Sequence, residues 1–297
     1  MTDLTHRLLI GVDGGGSGCR AAIGTLADGV LARADAGPAN ATSNPDLAIK
    51  NVIAAVTGAA NLAGLSATAL GAAITHVGLA GVQTQGQSAD IASALPFGDV
   101  TVTDDRPTAV TGALGGAYGY LLALGTGTIA AASSADGFRF VGGWGFRVSD
   151  HASAAWLGRA ALERVLLCHD GVDEHSPLTL AILARFGDDP NALVAFATTA
   201  APRDFGTVAP LITSHAKDGD LWGCEILKSG ANHLVRALAT LGFQPGDALC
   251  LTGGVGPHYA PYLPSGYLAG SVAAKGNALD GAFDLAKARL AALEGAL

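Results

Sequence analysis

The chain is poor in charge. Of its 297 residues only 14% are Asp, Glu, Lys or Arg, and the 17 basic residues are outnumbered by 25 acidic ones, for a net charge of −8. No cluster of Lys and Arg is present, and a negative balance without one argues against a nucleic-acid surface. Cysteine is scarce as well. Cys19, Cys168, Cys224 and Cys250 lie far apart with no CxxC pair, so reduced thiols are expected rather than a disulfide framework or a metal site. There is no long apolar run: Asp3 and the short run after it do not make a signal peptide, and no segment is long enough to span a bilayer. A soluble, cytoplasmic protein is expected, with no membrane and no nucleic acid among its partners. What is abundant is small and apolar. Hydrophobic residues make up 49% and glycine alone contributes 42 residues, the composition of a compact α/β enzyme with enough core for about two domains.

The same pattern occurs twice. LLIGVDGGGSG, CRAAIGTL, ADG and VLARA near the N-terminus are answered by LLALGTGT, IAAASS, ADG and FRFVG in the middle. Each copy is an apolar run, a glycine-rich turn, a second run, an Asp-Gly hairpin and a third run. Asp28-Gly29 and Asp136-Gly137 carry the type I′ hairpin signal. Two similar lobes are expected, each offering a glycine loop. Two such loops facing across a cleft can cradle one string of phosphates, which points to a nucleotide-using enzyme.

Around these meanders the pattern predicts strands at 8–12, 19–26, 30–34, 72–79 and 100–103. It predicts a helix capped by Asn44, opened by Pro45 and stopped by Gly64, with further helices at 89–95 and 108–114. A second lobe begins near Tyr118. It has a helix at 153–167, a mostly helical stretch at 170–236, and a strand at 248–252 ending in Gly253-Gly254. Leu279, Phe283, Ala286, Leu290 and Leu293 form one helical stripe in the tail, a helix over 278–297 expected to pack back on the first lobe. The domains are therefore 1–116 and 117–277. The expected fold is α/β, two ribonuclease-H-like lobes of the actin-like ATPase kind with an interlobe cleft.

Several residues are candidates for chemistry, each with a plainer reading beside it. Asp13-Gly14-Gly15-Gly16-Ser17 follows a strand and turns into another, so its amides can form an anion nest and Asp13 can hold Mg²⁺ through water. The plainer reading is a glycine-rich hairpin. It is neither a Walker loop nor a Rossmann fingerprint. Gly125-Thr126-Gly127-Thr128 occupies the equivalent turn of the second copy and suits a β- or γ-phosphate, or else is a tight hairpin. Gly253-Gly254 offers a flat surface for an adenine or ribose, or else is a plain strand-to-helix turn. Asp104-Asp105 ends a strand where a phosphoryl acceptor needs a carboxylate base; the plainer reading is that Asp105 caps a helix. Trp144 reads as core, His151 as a surface histidine and Asn40 as a turn residue.

Together these pieces resemble the BadF/BadG/BcrA/BcrD-type ATPase family of the actin-like and sugar-kinase superfamily, and within it the N-acetylglucosamine and glucosamine kinases. DGGGS resembles the first phosphate loop, GTGT the second and LTGGVG the adenosine segment. Asp105 with Ala109, Gly112 and Ala113 resembles the catalytic-aspartate segment, and Asp104 falls where Asn or Thr is common. GGWGFRVSDHASAAWLG and GNALDGAFDLA resemble later stretches. The resemblance implies sugar contacts by Asn40, Asp105, Gly145 and Asp150. The family's Asp-Glu-Gly is Asp150-His151-Ala152 here, which places His151 at the sugar end and makes glucosamine at least as good a candidate as its N-acetyl form. The expectation is ATP- and Mg²⁺-dependent phosphorylation of an amino sugar at its primary hydroxyl, with Asp105 as base and a homodimer allowed. The alternatives are an ATPase activator of a partner enzyme and a non-catalytic sugar or nucleotide sensor.

Overall fold

A computed structural model describes residues 6–294. The residues beyond Glu294 at the end of the expected tail helix, and Asp3, lie outside the described residues. The chain divides into two compact units, one running to Ala117 and resuming at Ala274, the other Tyr118–Ala273.

In the first unit β1 (Leu9–Gly14), β2 (Cys19–Thr25) and β3 (Gly29–Ala36) form an antiparallel meander. Helix α1 (Pro45–Leu62) follows, with the Asn44 side chain accepting from the Leu47 N–H and Pro45 in the first turn, as its capping signals predict. A short helix α2 (Ala67–Leu70) leads to β4 (Ile74–Leu79), then α3 (Gln85–Ala94), β5 (Val100–Thr103) and α4 (Asp105–Leu114). β4 joins β1 in parallel and β5 joins β4 in parallel, giving the order β3-β2-β1-β4-β5.

The second unit repeats this scheme. β6 (Gly119–Leu124), β7 (Thr128–Ser134) and β8 (Gly137–Val141) form the meander. Helices α5 (Ala154–His169), α6 (Pro177–Arg185), α7 (Pro190–Thr199), α8 (Pro202–Gly206), α9 (Ala209–Lys217) and α10 (Leu221–Leu241) come next, then β9 (Leu249–Thr252) and β10 (Ser271–Val272). Read from the meander outward, β8-β7-β6-β9-β10 is the topology of the first sheet over again.

The chain re-enters the first unit with α11 (Ala278–Glu294). Its stripe of Leu279, Phe283, Ala286 and Leu290 is buried against Leu9, Ala22 and Ile74 of the sheet, with Leu293 half-buried beside it.

Three expectations need correction. The Asp-Gly pairs do not make type I′ turns, which need positive φ at both central residues. Thr25 pairs with Gly29 across a three-residue loop, Ser134 pairs with Gly137 across Ala135-Asp136, and only the glycines, with φ of 70° and 102°, are left-handed. Each glycine serves as the residue that closes the turn. Second, α3 begins four residues before its expected start at Ala89, because Thr84 and Gln87 form a capping box. Third, α4 begins three residues before expected, at Asp105, and its cap is Asp104.

Helix α4 is held by backbone-to-backbone contact. A Cβ on Gly112 would lie 1.9 Å from the Asn277 carbonyl oxygen, and one on Gly281 of α11 would lie 2.0 Å from the Thr108 carbonyl oxygen. On the sheet side, a Cβ on Gly78 of β4 would meet the Thr108 side chain at 2.6 Å. Gly112→Ala must therefore push α4 and α11 apart. It should lower unfolding free energy by about 2 kcal/mol or more, the scale of overpacking a closed interface. A urea melt checks this, with Gly16→Ala, whose Cβ would meet nothing within 4 Å, as the control that leaves the midpoint unchanged.

Candidate functional site

In the first unit the candidate residues gather at the carboxyl ends of the parallel strands. Gly14 is in register with Leu79, and Gly78 with Thr103, so the ends of β1, β4 and β5 are level. Loops leaving that edge are where open α/β sheets place ligands. The Asp13–Ser17 turn is closed by the Gly15 N–H donating to the Gly18 carbonyl (2.8 Å), and the Ala39 N–H donates to the Gly15 carbonyl (2.8 Å). The Asn40 loop is tied to the end of β4 by the Ala41 N–H on the Ala80 carbonyl and the Thr42 hydroxyl on the Gly81 carbonyl. Asn40 Oδ1 accepts from the Thr42 N–H, the Ser43 N–H and the Ser43 hydroxyl. That consumes the acceptor end of the side chain and fixes which way its NH₂ points.

The two adjacent aspartates have different surroundings. Asp104 accepts from the Arg106 N–H (2.9 Å) and forms a two-point ion pair with the Arg106 guanidinium (2.7 and 3.1 Å). Among the described residues Asp105, in the first turn of α4, makes no ion pair within 4 Å, although Arg106 lies near enough to favour its charge slightly. Burial, then the neighbouring charge of Asp104, and more weakly that of Asp13, push its pKa up to about 6. A half-buried carboxyl titrating near neutrality is the chemistry a proton acceptor requires.

Asp13 does not stand free. Arg20, its cross-strand partner on β2, forms an ion pair with its Oδ2. Both line an open concavity with Gly15, Ser17, Gly18 and Asp35. Sequence reasoning missed Arg20. The signal was there, since it is the one cation in the Ala-rich run of β2 and the one exposed position of that strand.

In the second unit the Gly125–Thr128 turn and the Asp150–Ser153 turn form one assembly. The Ala154 N–H donates to the Gly125 carbonyl (2.8 Å), and the Thr128 hydroxyl to the His151 carbonyl (2.7 Å). A Cβ on Gly127 would lie 3.1 Å from Asp150 Oδ2. Burial raises the pKa of Asp150, while the N–H groups of Thr128 and Gly145 hydrogen-bond its carboxylate and oppose that rise. Asp150 and Ala152 both have positive φ, 55° and 68°, conformations an L-residue keeps only where its surroundings insist. Gly253-Gly254 follows β9, and Gly253, at φ 84°, lies so close to β6 that a Cβ would be 2.3 Å from the Leu124 carbonyl oxygen. The glycine there is a packing necessity, whatever else the segment does.

Two readings change. Trp144 is not core, being 77% exposed on the loop that carries Gly145. His151 is not a plain surface histidine. It is half-buried and stacks on His233 of α10, ring centroids 4.4 Å apart and 17° from parallel, with Trp156 at 6.0 Å. His233 had no sequence signal, because its role depends on a partner 82 positions away.

The sequence profile of the BadF/BadG/BcrA/BcrD ATPase family matches residues 10–262. The chain belongs to that family. The glucosamine kinase GspK of Vibrio cholerae serotype O1 is 32% identical over 274 residues, 92% of this chain and 93% of that protein. An N-acetylmuramic acid/N-acetylglucosamine kinase of Clostridium acetobutylicum is 26% identical over 236 residues, 77% of each chain. Among solved structures, a Chromobacterium violaceum protein provisionally named an N-acetylglucosamine kinase superposes with a TM-score of 0.83 at 33% identity, covering 95% of this chain and 99% of that one. The fold is that of the actin-like sugar kinases, α/β with a ribonuclease-H-like sheet in each unit.

Nothing lies within 4 Å of a Cβ placed on Gly125, and its φ is not left-handed. Gly125→Ala should therefore keep the melting temperature of the parent. If this turn approaches phosphates through its backbone, the same substitution should weaken ATP binding by about tenfold, about 1.4 kcal/mol. Calorimetric titration with ATP, beside a thermal melt, reads both.

Proposed function

We propose that the protein is an ATP-dependent amino-sugar kinase that phosphorylates glucosamine or N-acetylglucosamine at the primary hydroxyl. The observation that carries this reading is the environment of Asp105, a carboxyl with no ion pair among the described residues, whose burial lifts its pKa to about 6 at the carboxyl edge of the first sheet. Family membership and the names of the relatives support it.

In this reading Asp105 accepts the proton of the sugar hydroxyl as that oxygen attacks the γ-phosphate, and the carboxyl must be ionised to do so. Asp104, held by Arg106 and by its capping role, keeps the turn in place and takes no proton. Asn40, Gly145 and Asp150 orient the sugar. Asn40 offers its NH₂, since its oxygen is already used within the loop. Asp150 brings a carboxylate that the glycine turn's own Thr128 N–H helps hold. The turns Gly14–Ser17 and Gly125–Thr128 receive the phosphates through the amides that Gly15, Gly125 and Thr128, already bonded within the turns, do not supply, and Gly253-Gly254 lies against the nucleoside.

Among the described residues no group of three or more His, Cys, Asp or Glu side chains could hold a metal by itself. The Asp13 carboxylate, lining the concavity at the glycine turn, suits Mg²⁺, which keeps most of its shell as water and nucleotide oxygens and takes one or two protein carboxylates. Asp13 is the residue that would serve. When bound, the ion neutralises charge on the transferring phosphoryl group. ATP as co-substrate agrees with a cytoplasmic location.

The decisive measurement is coupled ADP release over a panel of hexoses and hexosamines. Release should depend on an amino sugar. The same rate without sugar would overturn the kinase reading in favour of an ATPase serving a partner. Asp105→Asn should lower kcat by on the order of a hundredfold or more with ATP affinity nearly intact, whereas Asp104→Asn, which retains a capping side chain, should cost far less. Because the Asp105 pKa is raised and the ionised form is the active one, kcat/KM of the parent should be full above pH 7. It should fall as pH drops through about 6.

A further inference from the structure

β4 is buried along its whole length, and within it His76 is an imidazole only 6% exposed. Its Nε2 lies 3.2 Å from the Thr103 hydroxyl on β5, and that hydroxyl lies 2.8 Å from the Asp104 carbonyl oxygen. A carbonyl can only accept, so the single Thr103 hydroxyl proton points at Asp104. Toward His76 the hydroxyl must then accept, which fixes the neutral tautomer with hydrogen on Nε2. Burial holds the His76 pKa down to about 4, so the ring stays neutral across the range in which a kinase works. The result is a directional chain, His76 to Thr103 to the peptide that joins Asp104 to Asp105. Burying an imidazole away from water is costly unless its polar atoms find partners. Here the partner is the group that pins the last carbonyl before the proposed base.

We infer that His76 is a positioning residue for phosphoryl transfer, setting through Thr103 the place and orientation of the Asp105 carboxylate at the junction of β5 and α4. The inference rests on Asp105 being the base. It adds that the base is aimed from behind by a neutral histidine on the neighbouring strand that touches neither substrate. Asp104 and Arg106 fix the same junction from the solvent side through the cap and ion pair. Thr108, one turn into α4, closes the helix start by donating to the Asp105 carbonyl (2.8 Å). With the Thr103 bond removed, the cap remains and the helix stays formed, but the Asp104 carbonyl and the peptide after it can rotate.

The test uses Thr103→Val as the near-isosteric variant and His76→Phe as the second, with Thr103→Ser and His76→Gln as rescues that restore a hydroxyl or an N–H donor. Thr103→Val and His76→Phe should each lower kcat by on the order of tenfold to a hundredfold, the range for a misaimed catalytic group. KM for ATP and for the amino sugar should stay within about twofold. Thr103→Ser and His76→Gln should recover most of the loss. The double variant should be little worse than the worse single one, because both act on one chain. The acid limb of the kcat profile should move from about 6 toward the ordinary carboxylate value of about 4, as a rotated Asp105 gains solvent.

A Thr103→Val protein that melts lower but keeps the parent kcat and acid limb would show the chain to be structural only and overturn the inference. Losses that add in the double variant would overturn it as well. Asp105→Asn in the same assay separates the two layers. If it retains full kcat, the assignment of the base fails. If it is inactive while Thr103→Val is normal, only the positioning role fails.

Discussion

The first unit depends on the closeness of α4 to its neighbours. Gly78 of β4, Gly112 of α4 and Gly281 of α11 each lie where a single added carbon would strike backbone or a short side chain. Gly11 of β1 lies equally close to the backbone at Phe283 of α11, where a Cβ would be 2.4 Å from the amide nitrogen. At these glycines the sheet, α4 and α11 meet at backbone distance, beside the layer of Leu279, Phe283, Ala286 and Leu290. Such contact leaves little room for compensating movement, since an interior packed to crystal density transmits a displacement rather than absorbing it. The consequence is felt at the start of α4. Its axis is fixed by glycine contacts further along, so the Asp105 carboxyl at its first turn is placed to the same tolerance. That α11 arrives from the far end of the chain explains why residues beyond Ala274 rejoin the first unit.

The two sheets share one topology, and the shared topology puts the candidate groups in equivalent places. In each, the first strand of the meander runs parallel to a later strand, and the glycine turn leaves its carboxyl end. The copies have diverged in what accompanies that turn. In the first unit it is Asp13 with Arg20, Asn40 and Asp105. In the second it is Asp150, hydrogen-bonded by the Thr128 and Gly145 N–H groups, held in a left-handed conformation, and carried on a turn that Ala154 ties to the Gly125 carbonyl. One scaffold used twice therefore supplies backbone amides from both copies but a carboxyl near neutrality from the first.

Much of this was legible in the residues. The duplicated meander, the helix opened by Asn44-Pro45, and the tail stripe from Leu279 to Leu290 are local patterns. They depend only on strand period, cap chemistry and helical period, and each survives into the fold. What was not legible depends on distant partners or on the geometry of one peptide. An Asp-Gly pair announces a tight turn without saying which place in it the glycine takes. Trp144 has the size of a core residue, but it stands on a loop between positive-φ glycines at 143 and 145, where the chain turns too sharply to bury it. His151 meets His233 only because α10 returns past the Asp150 turn.

The adjacent aspartates show the limit most clearly. Asp104 and Asp105 are one residue apart, chemically identical and followed by the same Arg106, so no rule of spacing separates a cap from a base. Folding separates them by direction. At the last residue before a helix, φ of −63° and ψ of 171° turn the Asp104 side chain back onto the first-turn N–H and within reach of the Arg106 fork. One residue later the backbone is helical, and the carboxyl takes no ion pair with the Arg106 fork among the described residues and feels the charge of Asp13. The first carboxylate is thereby capped and ion-paired, while the charge of the second is favoured only by its own backbone N–H and, weakly, by the Arg106 charge. Burial and the first one's charge then act on the second together, each disfavouring its ionised form. The assignment of roles thus comes from a helix start falling between two like residues. The cap that anchors the helix and the raised proton affinity beside it have a single structural cause.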